Sequence, residues 1–405
     1  MIPLDEAVEE VVSACRPLPA TSLPVAEAFG HVLAEDVNAV DPVPPFANSA
    51  MDGYAVRAAD VSGASVQSPA RLRVIGTVAA GHAPTASVGV GEALRIMTGA
   101  VFPGGADAVA IVETTRVDGD HVLISAEARS GDHVRGAGDD IAAGTGVFAA
   151  GTVLGPGHVG VLCSIGREKI QAIPLPTIGV LSTGDELVEA GSPLLPGQIR
   201  DSNRRTLIAL LARDGYSAVD LGIAPDDEAD IERRLSLAAK TCDAILTSGG
   251  VSMGDFDYVK AVLDRIASMR WMQVAIRPAK PFAFGVLDEI PIFGLPGNPV
   301  SSMVSYELLA RPGLRRIAGL RHELLRRRPV PGVADGSWRG AGDGRTTFVR
   351  VVAQFAGDGR LHAQAAGGQG SHQLHAMSLS NALAVVPPGA EISPGEAVDL
   401  LTLTP

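Results

Sequence analysis

Thr177-Ile178-Gly179-Val180-Leu181-Ser182, followed by Ser202-Asn203-Arg204-Arg205-Thr206-Leu207-Ile208-Ala209-Leu210-Leu211-Ala212-Arg213-Asp214, is the stretch whose reading decides the fold. The first run is short, apolar and β-branched, which predicts a buried strand; the second has helical spacing and a capping residue, Asp201 or Ser202, at its start. The pattern then repeats. Residues 218–223 read as a strand, 226–240 as a helix and 243–247 as a third strand. Strands alternating with helices at this spacing predict a parallel sheet covered on both faces, and ligands of such sheets gather beyond the carboxyl ends of the strands.

Two glycine loops fall at those ends. Thr183-Gly184-Asp185-Glu186 follows the first strand, and Ser248-Gly249-Gly250-Val251-Ser252-Met253-Gly254-Asp255 follows the third. Glycine lets backbone N–H groups approach a ligand, and a following helix N-terminus favours negative charge. Arg277-Pro278-Ala279-Lys280-Pro281 holds two cations between prolines that limit the chain's freedom. Gly294-Leu295-Pro296-Gly297-Asn298-Pro299-Val300-Ser301 ends another strand and opens a helix over 300–316. Acids recur at Asp139-Asp140, Asp185-Glu186, Asp226-Asp227, Asp255 and Asp257. Such hard oxygen ligands suit Mg²⁺, although acids at a helix start are also explained by the dipole.

Outward from this core, residues 41–140 are dense in Val, Gly and Ala with turns every eight to twelve residues, as in a small all-β module. The stretch to about Glu35 reads as helical, with Asp5 or a neighbour opening a helix through Cys15. Residues 346–355, 361–365 and 382–386 read as strands of a C-terminal β-domain. Within the module, Asn48, Ser49 and Asp52 cluster polar atoms beside Gly53 after a proline-stiffened approach, and Thr98 in Arg95-Ile96-Met97-Thr98-Gly99-Ala100 offers a hydroxyl donor to an anion.

The 405 residues suggest two to four domains at roughly 100–200 residues each. With Lys+Arg 33 against Asp+Glu 45, the formal charge of −12 argues against a chain that coats nucleic acid or an anionic membrane. Cys15, Cys163 and Cys242 share no short spacing, so they read as small buried apolar residues of a reducing cytosol. Acids at the N-terminus, where a signal peptide carries positive charge, and the lack of a run of about 20 apolar residues predict a cytoplasmic protein. No His-Glu-x-x-His or Walker A sequence appears, and the nine histidines are scattered enough to read as structural or solvated.

Six ordered strings, Asn48 to Arg57 (NSAMDGYAVR), Arg95 to Ala100 (RIMTGA), Thr183 to Leu187 (TGDEL), Ser248 to Ser252 (SGGVS), Arg277 to Gly285 (RPAKPFAFG) and Gly294 to Ser301 (GLPGNPVS), together resemble the molybdopterin molybdenumtransferase family, the bacterial MoeA type that also forms the E domain of gephyrin. The likeness spans essentially the whole chain. It implies a multidomain α/β plus β fold: an N-terminal helical and linker domain over 1–40 and 140–175, an inserted β-module over 41–139, a three-layer α/β molybdopterin-binding domain over 176–325, and a C-terminal β-barrel over 326–405. It further implies a homodimer whose cleft is shared between the α/β domain of one subunit and the inserted module of the other.

The resemblance also implies insertion of molybdate into adenylylated molybdopterin, with Mg²⁺-dependent loss of AMP. By position, Asp52, Thr98, Glu186 and Asp257 take the catalytic places. Ser248, Gly249, Gly250 and Ser252, with Pro296, Gly297 and Asn298, take the pterin and phosphates, and Arg277 and Lys280 attract molybdate. Arg135 and Asp140 align with an R-x-x-G-x-D segment, and Glu186 and Asp257, with Asp226 or Asp227, would hold Mg²⁺. Three departures stand out: Gly136-Ala137 occupy positions often basic in relatives, Arg277 replaces a lysine with changed donor geometry, and Ala47 stands where relatives commonly carry aspartate. Other proteins of molybdenum cofactor biosynthesis are the implied partners. A non-catalytic scaffold of gephyrin type, or a related nucleotide pyrophosphatase, are the competing readings. Residues 311–328 hold seven arginines and one acid, and this basic run reads as a solvated helix and domain junction.

Overall fold

The computed structural model describes residues 1–250 and 258–403. The chain forms two compact units, one of Ser22–Phe29 and Leu33–Ile170, the other of Met1–Thr21, Gly30–Val32 and Gln171–Pro405. At the N-terminus the expected helix is present. Helix α1, Leu4–Ala14, opens beside Asp5 and ends at its C-cap Cys15 as expected, keeping Asp5 and Glu6 in its first turn, but no helix continues toward Glu35. Pro17, Pro19 and Pro24 prevent its extension, and residues 21–38 instead form short strands and a 3₁₀ turn.

In the first unit, six strands form the expected β-module: β1 Gly53–Val56, β2 Ala70–Val78, β3 Glu92–Ile96, β4 Ala108–Ile111, β5 Thr115–Asp118 and β6 His121–Ile124. They lie in the order β4-β1-β3-β2-β6-β5. Successive residues serve opposite faces, so Tyr54 and Val56 join Leu72, Ala110 and Val122 in one core while Ala55 joins Leu94, Ile96 and Val109 in another. Helix α2, Pro156–Ser164, starts where the Gly155 N–H donates to His158 Nδ1 at 3.0 Å, one of the histidines read as structural.

The second unit contains the α/β sheet. Its elements are β7 Thr177–Thr183, α3 Asn203–Arg213, β8 Ser217–Ala224, α4 Glu228–Thr241, β9 Ala244–Ser248, α5 Tyr258–Ile266, β10 Ser268–Gln273, β11 Pro281–Leu287 and β12 Ile290–Leu295. The strand order is β8-β7-β9-β12-β11-β10. The first three pairings are parallel, as expected, but β12–β11 and β11–β10 are antiparallel. The cause is local: Asp288 and Glu289, at φ 49° and 70°, make a two-residue hairpin that returns the chain at once, leaving no room for a crossover helix. Leu181, Ile245 and Ile292 pack beneath α4 and α5 through Ile231, Leu235, Val259 and Leu263.

After β12, α6 Pro299–Ser305 passes through a π turn, Tyr306–Ala310, into α7 Arg311–Ile317. This turn directs Glu307 inward, where it is 3% exposed and meets Arg213 at 2.7 Å and Arg327 at 2.8 Å. Arg311 and Arg213 share Asp214 at 3.0 Å each. Part of the basic run is therefore a buried ion cluster rather than a solvated face.

The C-terminal strands are β13 Val330–Ala334, β14 Thr346–Phe355, β15 Leu361–Ala365, β16 Ala382–Val386 and β17 Ala397–Thr402. Pairing runs β14-β15-β13-β17-β16 and returns to β14, closing a five-stranded barrel around Val349, Val351, Ala363, Ala384 and Leu400. Among the described residues, no helix is long and apolar enough to cross a membrane.

The start of α3 is held by charge. Arg204, 1% exposed, donates from Nε to Asp201 at 2.9 Å and also bonds Asp220 on β8 and Glu189 in the loop after β7. Asp201 accepts from Ser182 Oγ and from the Arg204 N–H, both at 3.1 Å, so Asp201 supplies the expected cap. Burial alone would depress the Arg204 pKa; its bonds to Asp201 and Asp220 outweigh this and raise it. Replacing Arg204 with Met leaves Asp201 buried without its counter-charge. Urea unfolding of Arg204→Met is expected to show a loss of about 3–5 kcal/mol, whereas Arg205→Met, at an exposed pair, loses less than about 1 kcal/mol.

Candidate active site

Register brings the expected loops of the second unit to one edge. Thr183 pairs with Ala224, Ser182 with Ser248, Ser248 with Leu295, and Ala283 with Gly294. The ends of β8, β7, β9 and β12 and the start of β11 therefore lie side by side, and with them the Thr183–Glu186, Ser248–Gly250, Pro296–Asn298 and Arg277–Lys280 segments. Antiparallel β11 accounts for the last of these, since its beginning lies where its parallel neighbours end.

The two glycine turns touch. A Cβ on Gly297 would lie 4.0 Å from Gly249 Cα, and the Gly249 N–H donates to Leu295 O at 3.1 Å. That bond spends the Gly249 N–H, so Gly249 contributes close approach rather than a donor. Gly250 has φ 71°, and a Cβ there would meet Val259 at 2.3 Å. Asn203, the first residue of α3, joins both turns: its Nδ2 donates to Ser248 Oγ at 2.8 Å and to Gly297 O at 2.7 Å.

Acids surround the first loop. The Gly184 N–H donates to Ala224 O at 3.2 Å, and the Asp226 N–H to Asp185 Oδ1 at 3.0 Å, so these two loops are adjacent. The Glu186 carboxylate folds over Gly184, where a Cβ would come within 2.2 Å of its Oε2. Asp227 instead caps α4, accepting from the Asp230 N–H at 2.8 Å. Among the described residues no group of three or more metal-ligating side chains forms. Asp257, Asp255 and Ser252 lie outside the described residues.

Arg277 and Lys280 bracket a cis Arg277–Pro278 bond and an Ala279 at φ 77°. Lys280 O accepts from the Val274 N–H at 2.8 Å, and Arg277 pairs with Thr347 of β14. The same barrel strand carries Arg350, which is 0% exposed and, among the described residues, has no carboxylate partner. Its Nη2 donates to Gly368 O at 2.6 Å and Gly370 O at 3.2 Å, while Nε and Nη1 find no partner among the described residues. Burial depresses its pKa. The loop it braces reaches the glycine turns, because Ser371 O accepts from the Val300 N–H on α6 at 3.1 Å.

In the first unit the structure likewise gathers residues that are far apart in sequence. Asp52 Oδ1 accepts from Thr98 N at 2.7 Å and Thr98 Oγ1 at 2.8 Å. Both Thr98 donors are thus spent on a carboxylate rather than left for an anion. The backbone N–H of Thr98, then its hydroxyl, and more weakly Arg95, hold the exposed Asp52 carboxyl below its ordinary pKa. Arg135 pairs with Asn48 and Val134 with Ser49, and the Gly99 N–H donates to Ser49 O at 2.8 Å, so the NSAMDG, MTGA and Arg135 segments form one surface. Asp140 lies further along, its N–H donating to Val43 O at 3.0 Å.

Sequence reading missed Asn203 and Arg350. The available signals were an amide inside the capping run Asp201-Ser202-Asn203-Arg204, and a lone cation within the apolar strand Thr346–Phe355.

Comparison with known proteins agrees with this architecture. Residues 2–166 match the MoeA N-terminal region, 179–316 a probable molybdopterin binding domain and 339–403 the MoeA C-terminal region. The chain is 36% identical to a molybdopterin molybdenumtransferase of Haemophilus influenzae, over 99% of this chain and 98% of the relative. It is 41% identical to molybdopterin molybdenumtransferase 2 of Mycobacterium tuberculosis, over 77% and 78%. A molybdopterin biosynthesis MoeA protein structure from Pyrococcus horikoshii superposes over 100% of both chains with a TM-score of 0.78 and 31% identity. A strand-end site with two joined glycine turns, a closed C-terminal barrel and full-length likeness at this identity lead to one conclusion: this chain belongs to the molybdopterin molybdenumtransferase family.

Proposed function

We propose that the chain inserts molybdate into the dithiolene of adenylylated molybdopterin with Mg²⁺-dependent release of AMP, as a step of molybdenum cofactor biosynthesis. The observation that supports this reading is the meeting of the two glycine turns with the segment that carries Arg277 and Lys280 at one sheet edge. Such an edge suits a ligand with several anionic oxygens. Ser248, Gly250, Pro296, Gly297 and Asn298 take the pterin and its phosphates, with Gly249 admitting them closely. Arg277 and Lys280 take molybdate.

Glu186 and Asp226 provide hard oxygens of the kind Mg²⁺ uses together with phosphate oxygens and water, and Asp257 would complete the set. Asp227 is the weaker ligand, since its Oδ1 already caps a helix. When bound, the ion supplies neutralising charge at the phosphoanhydride. Asp52, kept ionised by Thr98, presents its second oxygen to the reacting groups, with Arg135 and Asp140 on the same module. The two residue groups belong to different compact units, and the reading joins them across a homodimer, the module of one subunit completing the α/β site of the other. The enzyme would act in the cytoplasm beside other proteins of cofactor biosynthesis.

AMP release and molybdenum incorporation are to be measured together on adenylylated molybdopterin with Mg²⁺ and molybdate. The expected result is AMP release that depends on molybdate, with Asp52→Ala and Glu186→Ala each lowering incorporation by about 100-fold. AMP release independent of molybdate would indicate a pyrophosphatase, and no turnover a scaffold. Mixing the two inactive variants tests the shared site: random exchange of subunits restores about a quarter of wild-type activity if each cleft draws on both chains, and none if it does not.

The depressed Asp52 pKa has a pH signature. Its contribution to stability is fully present above the unfolded carboxylate value of about 3.9 and is lost as pH falls through the lower folded value. Carboxyl NMR titration is expected to place Asp52 below that value, and Thr98→Val to move it upward.

A further inference from the structure

We infer that Asn203 is a positioning residue for the proposed reaction: it sets the Ser248 hydroxyl as a donor toward the bound anion and locks the two glycine turns together. The inference rests on the functional reading above. It starts from an assignment that the chemistry forces. Gly297 O only accepts, so the amide edge of Asn203 within 2.7 Å of it must be Nδ2. The other Nδ2 proton is then directed at Ser248 Oγ, 2.8 Å away.

A serine hydroxyl carries one proton. With its oxygen accepting from Asn203, Ser248 keeps its own O–H for another acceptor, and among the described residues Asn203 is the only partner of Ser248 Oγ. Ser248 is the last residue of β9, 2% exposed, at the edge where the glycine turns meet. An isolated serine would donate or accept according to its surroundings. Here the neighbouring amide makes it a donor before the anion arrives, which removes a reorganisation cost from binding.

The same amide group spans the turns after β9 and β12, segments 45 and 94 residues from it in sequence. Aspartate at this position would reverse both effects. A carboxylate would take the Ser248 proton, repel Gly297 O and add negative charge beside the anion.

Steady-state kinetics on adenylylated molybdopterin test this, with thermal unfolding as a control for folding. Asn203→Ala is expected to raise KM for the pterin substrate about tenfold while kcat changes less than about threefold. Asn203→Asp is expected to raise KM further than Asn203→Ala in protein that thermal unfolding shows to be folded. Because the effect passes through the Ser248 hydroxyl, adding Asn203→Ala to Ser248→Ala should cost much less than it does in the wild-type chain. An unchanged KM in a folded Asn203→Ala, an Asn203→Asp that binds as tightly as Asn203→Ala, or full additivity with Ser248→Ala would each overturn the inference. Either folded Asn203 variant decides. Wild-type protein without turnover overturns the functional reading, and this inference with it; wild-type turnover with an unaffected Asn203→Ala overturns this inference alone.

Discussion

The guanidinium of Arg204 is the interaction on which the α/β site depends. It lies beneath the first turn of α3 with Asp201, Asp220 and Glu189 around it, and so ties together a helix start, an edge strand and the loop after β7. Desolvating such a group costs several kcal/mol, which only near-ideal geometry offsets. The consequence is directional more than energetic. Arg204 fixes the rotation of the helical turn that also carries Asn203, so the amide is aimed at Ser248 and Gly297 by a charge network that touches neither. Arg205 covers Asp220 and Glu189 from outside at 2.8 and 3.3 Å, offsetting the excess of acid.

Much of the fold was legible because local signals agreed with tertiary ones. Strands Thr346–Phe355, Leu361–Ala365 and Ala382–Val386 lie where β-branched runs between glycine turns place them. The N-terminal stretch misled for the opposite reason: helix formers continue past Ala14, but prolines and the pairing of short strands override them. The antiparallel β11 was hidden because Asp-Glu is an unusual sequence for a turn with two positive φ angles.

The site was legible in its loops and not in its connections. Glycine runs at strand ends announce themselves by composition, whereas Asn203 acts through partners 45 and 94 residues away and Thr98 through one 46 residues away. Arg350 was concealed by its strand. In Thr-Thr-Phe-Val-Arg-Val-Val-Ala-Gln-Phe a single cation looks like the solvent-facing member of an alternating pattern. Here it is fully buried, because the Gly367–Gly370 loop folds over it and supplies carbonyl acceptors.

This difference also bears on how a chain with a formal charge of −12 would present the proposed anion site. Two arginines of the basic run, Arg311 and Arg327, are consumed inside the molecule by Asp214 and Glu307, and Arg326 pairs with Asp5 at the surface. Arg350 is different in kind. Burial lowers its pKa, but a guanidinium remains charged at neutral pH, and carbonyl dipoles alone do not neutralise it. In a medium of low dielectric that charge acts over a longer distance than a hydrated lysine can. The loop it braces ends on the Val300 N–H, at the start of the helix that follows the Gly297 turn. In the proposed reading the buried charge of Arg350 adds to Arg277 and Lys280, so anion binding need not follow from the overall charge of the chain.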